Sequence, residues 1–197
     1  MSKQVEFFFD VGSPASYLAW TQLASIAQRH NAEIVWRPML LGAVFQAVGN
    51  TSPAAVPAKG AYMLKDLKRF SAIYDVPFRF NPFFPVNTMQ LMRGVTAYLG
   101  TPKFESYLSA IFNALWAEKL NMESPEVVAE VLSKVGIEAT DFMARISEPE
   151  VKARLKSSTE EAVARGVFGA PSFFVNGEMF FGQDRLSFVE DAWRDRE

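Results

Sequence analysis

Apolar residues crowd the first strand-length stretch of the chain, Val5-Glu6-Phe7-Phe8-Phe9, and Asp10 to Gly12 close it ahead of Ser13-Pro14. A short apolar run ended in this way reads as a buried strand. Behind it Tyr17, Leu18, Trp20, Leu23, Ile26 and Ala27 recur at helical spacing up to His30 and Asn31. The pattern predicts a helix with Ser13 as its cap and Pro14 in its first position. Glu33-Ile34-Val35-Trp36-Arg37-Pro38 reads as a second strand stopped by Pro38, and a β-α-β opening favours a parallel pair.

From Gly49 to Gly60 two prolines and two glycines read as a loop. Helical periodicity then dominates, with helices expected over Ala61 to Tyr74, Thr88 to Leu99, Lys103 to Glu118 and Pro125 to Val135. A shorter helix is expected over Asp141 to Ile146. Ser147-Glu148-Pro149-Glu150 has the spacing of a capping box, opening a helix that runs to Arg165 and stops at Gly166. Ser172 to Val175 and Glu178 to Phe181 flank Asn176-Gly177, a hairpin signal, before a last helix over Leu186 to Arg194. The order is β-α-β, a helical block, then α-β-β-α. It predicts an α/β, thioredoxin-like fold with an inserted all-helical domain, residues 1–60 and 156–197 forming the first part and 61–155 the insertion.

Composition narrows the functional classes. At 197 residues and 49% apolar content the chain can bury an ordinary core. A net charge of -2, from 20 basic and 22 acidic side chains interspersed, offers no broad footprint for nucleic acid or an anionic membrane. No stretch has the length of a membrane-spanning helix, and the first residues lack a signal-peptide core, so a cytoplasmic protein acting on small molecules is expected. The single histidine, His30, is read as a surface residue, and no metal-ligand spacing or phosphate loop is present.

Candidate chemistry concentrates at two places. Ser13-Pro14-Ala15-Ser16 stands where a thiol oxidoreductase carries Cys-x-x-Cys, yet the chain has no cysteine. Ser13 would sit at the positive end of a helix dipole, where a thiolate is favoured; it is equally a plain helix cap. Gly169-Ala170-Pro171 leads into the third strand. Pro171 fits either a cis bond that frees Ala170 to pair with an extended peptide-like ligand or an ordinary strand-leading proline. Asp184, beside Gln183, suits a ligand ammonium group or a helix cap. Asn50 and Lys59 offer a hydrogen bond and a cation from the loop, or are a turn residue and a solvated lysine.

Several segments together are similar to the DsbA-like, kappa-class glutathione transferase family. They are Phe9 to Ala19, Arg37-Pro38-Met39-Leu40-Leu41-Gly42 through Gly49-Asn50, Lys59-Gly60-Ala61-Tyr62, Gly166 to Pro171, and Phe181-Gly182-Gln183-Asp184-Arg185. The resemblance implies a thioredoxin fold with a helical insertion, a homodimer, and glutathione as cofactor, with Ser13 beside its sulfur. Ala170, with Pro171, would pair with the cysteinyl unit, Gln183 and Asp184 would receive the γ-glutamyl end, and Asn50 and Lys59 would complete the pocket. Gln183 stands where kappa transferases more often have serine. Gly12 to Ser16 and Leu40-Leu41-Gly42 point within the family to a glutathione-dependent cis-trans isomerase. It would interconvert 2-hydroxychromene-2-carboxylate and trans-o-hydroxybenzylidenepyruvate, a small aromatic substrate of naphthalene-type degradation. The alternatives are a transferase that conjugates glutathione to an electrophile and a noncatalytic glutathione or peptide binder.

Overall fold

The computed structural model describes residues 3–194; the outermost ends of the expected domain limits, 1–2 and 195–197, lie outside the described residues. Its centre is a four-stranded sheet in the order β2-β1-β3-β4. The strands are β1 (Gln4–Phe9), β2 (Glu33–Pro38), β3 (Ser172–Val175) and β4 (Glu178–Phe181). β1 and β2 run parallel, as the β-α-β opening predicts, while β3 and β4 run antiparallel.

Alternation along β1 divides two cores. Val5, Phe7 and Phe9 join the larger apolar cluster with Leu18 and Leu23 of α1 (Pro14–Arg29). Phe7 stacks on Phe9 at 4.8 Å and on Phe173 at 5.3 Å. The cluster continues without a break into α3 (Pro57–Ile73), α4 (Met89–Tyr98), α5 (Phe104–Trp116), α6 (Pro125–Ser133) and α7 (Ala139–Ser147). α9 (Leu186–Arg194) contributes Leu186, Val189 and Trp193. Phe8 faces the other way, into a smaller cluster with Val44 of α2 (Leu41–Val48) and Ala162 of α8 (Pro149–Ala164).

Four local expectations are corrected. α2 was not expected; two turns with one fully buried side chain, Val44, carry little periodic signal. The expected loop of 49–60 holds a 3-10 turn, Pro53–Ala55, and the start of α3 at Pro57, four residues before Ala61. Both prolines occupy first-turn positions, where they open helices instead of breaking them. The capping box does not form: the Ser147 hydroxyl donates to the Met143 carbonyl within α7, and Glu148 precedes Pro149 of α8 without a side-chain cap. His30 is no surface residue, because α9 folds over the end of α1. Its side chain is 15% exposed, with Nε2 3.2 Å from Glu190 and its ring 5.3 Å from that of Trp193.

Glu6 is the charged exception on the smaller-core face of β1. It accepts from Arg165 at 2.7 Å and from Arg37 at 2.8 Å, and the Arg165 guanidinium lies 3.9 Å from the centre of the Phe174 ring. The Arg165 hydrogen bond holds the Glu6 carboxyl below its ordinary value of 4.5 despite partial burial. Its contribution is therefore whole above that value and fades as acid protonates the folded carboxylate. Glu6→Gln is expected to cost about 1 kcal/mol near neutral pH. In urea titrations the difference from the parent should shrink as the pH falls below 4.5.

Candidate active site

β1 ends at Phe9, and the turn of residues 10–13 delivers the chain into α1. The helices of the middle of the chain grip that turn. The Val11 amide points at the Met92 sulfur at 3.3 Å, and the Val11 carbonyl accepts the Trp116 indole N–H at 2.8 Å. A Cβ on Gly12 would meet Cγ2 of Thr88 at 2.8 Å, so glycine is what lets the turn lie against the start of α4.

The Asp10 carboxylate organises this junction. It is 2% exposed. Oδ1 accepts the Gly12 amide at 2.9 Å; Oδ2 accepts the Leu41 amide at 2.9 Å and the Thr88 hydroxyl at 3.1 Å. Gly12 leads into α1, Leu41 opens α2 and Thr88 precedes α4. One carboxylate thus joins three helix starts, whose positive dipole ends suit a buried anion. Burial pushes the Asp10 carboxyl above its ordinary pKa, opposed by these three hydrogen bonds. Sequence reasoning took Asp10 only as the end of a strand. The available signal was an acid at the carboxyl end of a buried strand, where α/β sheets place their sites.

Ser13 takes both parts open to it in the sequence. Its side chain caps α1, accepting the Ser16 amide at 3.1 Å, and its hydroxyl donates across the fold to the Ala170 carbonyl at 2.9 Å. The Ala170–Pro171 bond is cis. The second serine of the motif is apart: the Ser16 hydroxyl is buried and has no hydrogen-bond partner among the described residues.

Ser13, Asn50, Lys59 and Ala170 line one cavity of about 530 Å³. Pro171 lies buried immediately behind Ala170. Gln183 faces an adjoining hollow of about 510 Å³ that shares Lys59. The Gln183 carbonyl accepts the Tyr74 hydroxyl at 2.8 Å, and burial, with the nearby Asp184 charge, pushes the Tyr74 phenol up to about 12. Asp184 lies in the 3-10 turn Gln183–Arg185, ion-paired with Arg185, and lines neither hollow. Asn50 is already engaged: its amide N–H donates to the Phe168 carbonyl at 2.9 Å and its oxygen accepts the Thr51 amide.

The apolar wall of the Ser13 cavity comes from Phe45, Phe84, Phe168 and Phe181. Phe168 and Phe181 pack with ring centres 4.6 Å apart, and a Cβ on Gly169 would sit 2.6 Å from the Phe181 ring. Polar groups share the cavity with this wall. The Ala170 amide has no hydrogen-bond partner among the described residues, leaving a free donor beside Ser13 and the amino end of α1. This donor set, with the Lys59 cation, suits an extended peptide-like anion. Among the described residues no cluster of His, Asp and Glu is placed to hold a metal ion.

Loss of Asp10 should harm the fold more than loss of Ser13. Ser13→Ala removes one cap, about 1 kcal/mol. Asp10→Ala strands three buried donors and is expected to cost about 3 kcal/mol or more. Urea unfolding of the two variants checks that order.

Residues 4–194 match the DSBA-like thioredoxin domain family. A 2-hydroxychromene-2-carboxylate isomerase of Sphingobium xenophagum is 30% identical over 192 residues, 96% of this chain and 97% of that one. Glutathione S-transferase kappa 1 of Homo sapiens is 30% identical over 203 residues, 96% of this chain and 90% of that one. A solved structure of a 2-hydroxychromene-2-carboxylate isomerase superposes with a TM-score of 0.88 at 30% identity, covering 98% of this chain and 95% of that one. The chain belongs to the DSBA-like thioredoxin domain family, together with these isomerases and kappa-class transferases.

Proposed function

We propose that this member of the isomerase branch uses glutathione to interconvert 2-hydroxychromene-2-carboxylate and trans-o-hydroxybenzylidenepyruvate in aromatic degradation. The observation that carries the reading is the Ser13 hydroxyl at the start of α1, 2.9 Å from the carbonyl of Ala170, whose own amide is free. Glutathione bound there would supply a thiolate for reversible addition to the conjugated carbonyl system of the ring-opened substrate, leaving a rotatable single bond until it is eliminated unchanged.

The chain's own residues do the rest. Ser13 turns its O–H from the Ala170 carbonyl toward the sulfur, and the amino end of α1 favours the negative charge there. That turn frees the Ala170 carbonyl, so its amide and carbonyl together pair with the cysteinyl backbone, as a neighbouring strand would. Pro171 backs that backbone. Gln183 and Asp184, past the Lys59 junction, take the γ-glutamyl end. Lys59 offers its cation to a carboxylate. Asn50 acts on the pocket through Phe168, whose carbonyl it holds. The ring of the substrate packs on the aromatic wall, which excludes water and orients the reacting bond.

The Ser13 hydroxyl donates to a backbone carbonyl and to no side-chain base among the described residues, so it serves as a hydrogen-bond donor to sulfur, and the absent cysteines leave no intrinsic disulfide chemistry. A cytoplasmic setting fits a thiol kept reduced. A homodimer completes the proposal: Tyr62 and Phe188 are 63% and 53% exposed, apolar surface that a second copy would cover.

Ser13→Ala is expected to keep glutathione binding, raise the pKa of the bound thiol and lower kcat roughly 100-fold. Thiolate absorbance and turnover, followed against pH, read both; a variant with unaltered thiol titration and turnover overturns the assigned role. With the parent protein, free glutathione should stay constant while the cis and trans forms exchange. Thiol lost in step with substrate would instead mark conjugation.

A further inference from the structure

A second groove lies on the far side of α2. Stripes from three helices wall it: Leu40, just ahead of α2, with Ala43 and Ala47; Met89 and Arg93 of α4; and Lys152, Leu155, Lys156, Thr159 and Val163 of α8. Within each helix these positions recur three or four apart and so share one face. The groove holds about 630 Å³, a volume suited to a small organic ligand. The one buried hydroxyl of its floor is satisfied, since Thr159 accepts the Leu40 amide at 3.0 Å and donates to the Leu155 carbonyl at 2.7 Å. What remains is an apolar bed of Leu40, Ala43, Ala47, Leu155 and Val163.

Its charge is mainly positive, with Arg93, Lys152 and Lys156 in the lining against one carboxylate, Glu160. Lys156 has a partner, Glu160, at 3.6 Å. Arg93 and Lys152 have no hydrogen-bond or ion-pair partner among the described residues, and Arg93 is half-buried. A guanidinium partly withdrawn from water without a counter-ion favours a bound anion, and its planar fork matches a carboxylate through two parallel hydrogen bonds.

We propose that this groove is a binding site for a small amphiphilic carboxylate, with its ring or chain on the apolar bed and its carboxylate on Arg93 and Lys152. The site is separate from the Ser13 cavity. α2 is the wall between them, turning Leu41, Gly42 and Phe45 to one side and Ala43 and Ala47 to the other. It stands whether or not Ser13 acts on a thiol.

The test is an NMR titration of the full chain with 1-naphthoate, run beside the uncharged 1-naphthamide. Saturable shifts are expected at the amides of Ala43, Ala47 and Thr159. Affinity there should fall about tenfold in Arg93→Gln, a change that breaks no hydrogen bond or ion pair of that side chain among the described residues, and naphthamide should bind no better than naphthoate binds that variant. Ala43→Trp, which fills the groove, should abolish these shifts while leaving those at Gly12 and Gly169. Shifts confined to Gly12, Ser13 and Gly169 would overturn the proposal. Equal affinity for acid and amide, or for parent and Arg93→Gln, would do the same, as would protection of the groove amides by self-association alone.

Discussion

A buried carboxylate without a counter-cation must find its stabilisation in dipoles, and Asp10 finds it in the starts of three helices. Its oxygens hold the Gly12 amide, the Leu41 amide and the Thr88 hydroxyl. These contacts span 31 and 78 positions in sequence for Leu41 and Thr88. They bring the sheet, the light helix α2 and the helices of the middle of the chain to one point. Trp116 and Met92 close the same turn from α5 and α4. The position of Ser13 is therefore set from outside its own helix, by residues of which Asp10, Gly12, Leu41 and Thr88 line the cavity and Met92 and Trp116 lie behind it.

This arrangement bears on the proposal that a serine serves here in place of a cysteine. The Ser13 hydroxyl has two stable engagements, the Ser16 amide and the Ala170 carbonyl. In the proposed complex only the second would be given up, when the hydroxyl donates its hydrogen bond to an anion instead. Its cap to α1 would persist, so the oxygen would stay in place while the hydrogen changes direction. In the proposed complex the Asp10 carboxylate and a thiolate would draw on neighbouring helix starts, at which Asp10 holds the Gly12 and Leu41 amides. The aromatic wall, resting on Gly169 and on the Asn50 tie to Phe168, supplies shape without charge.

Much of this was legible in the chain because local signals agreed with the fold. The alternation in Val5 to Phe9 marks the central strand, Ser13-Pro14 marks the start of α1, and Asn176-Gly177 joins the two strands it separates. The hidden parts depend on distant partners. Nothing near Asp10 announces Leu41 or Thr88, and α2 is held by those contacts and by Val44 more than by its own periodicity. Pro53 and Pro57 read as breakers because a proline at a helix start and one in a loop look alike until a cap is seen. His30 looked solvated because its cover, α9, arrives from the other end of the chain. Within the candidate site the Ser13 hydroxyl meets the Ala170 carbonyl, Asn50 turns to the backbone and Asp184 to Arg185.

The account stands on the Asp10 junction being as firm as the core that surrounds it. Native-state hydrogen exchange of the Gly12 and Leu41 amides measures that firmness directly. Both should open only with global unfolding, at rates matching Phe7 and Phe8 in the central strand. Exchange at Gly12 or Leu41 many times faster than in β1, with the strand still protected, would show the junction opening by itself and would contradict the claim that it sets the place of Ser13.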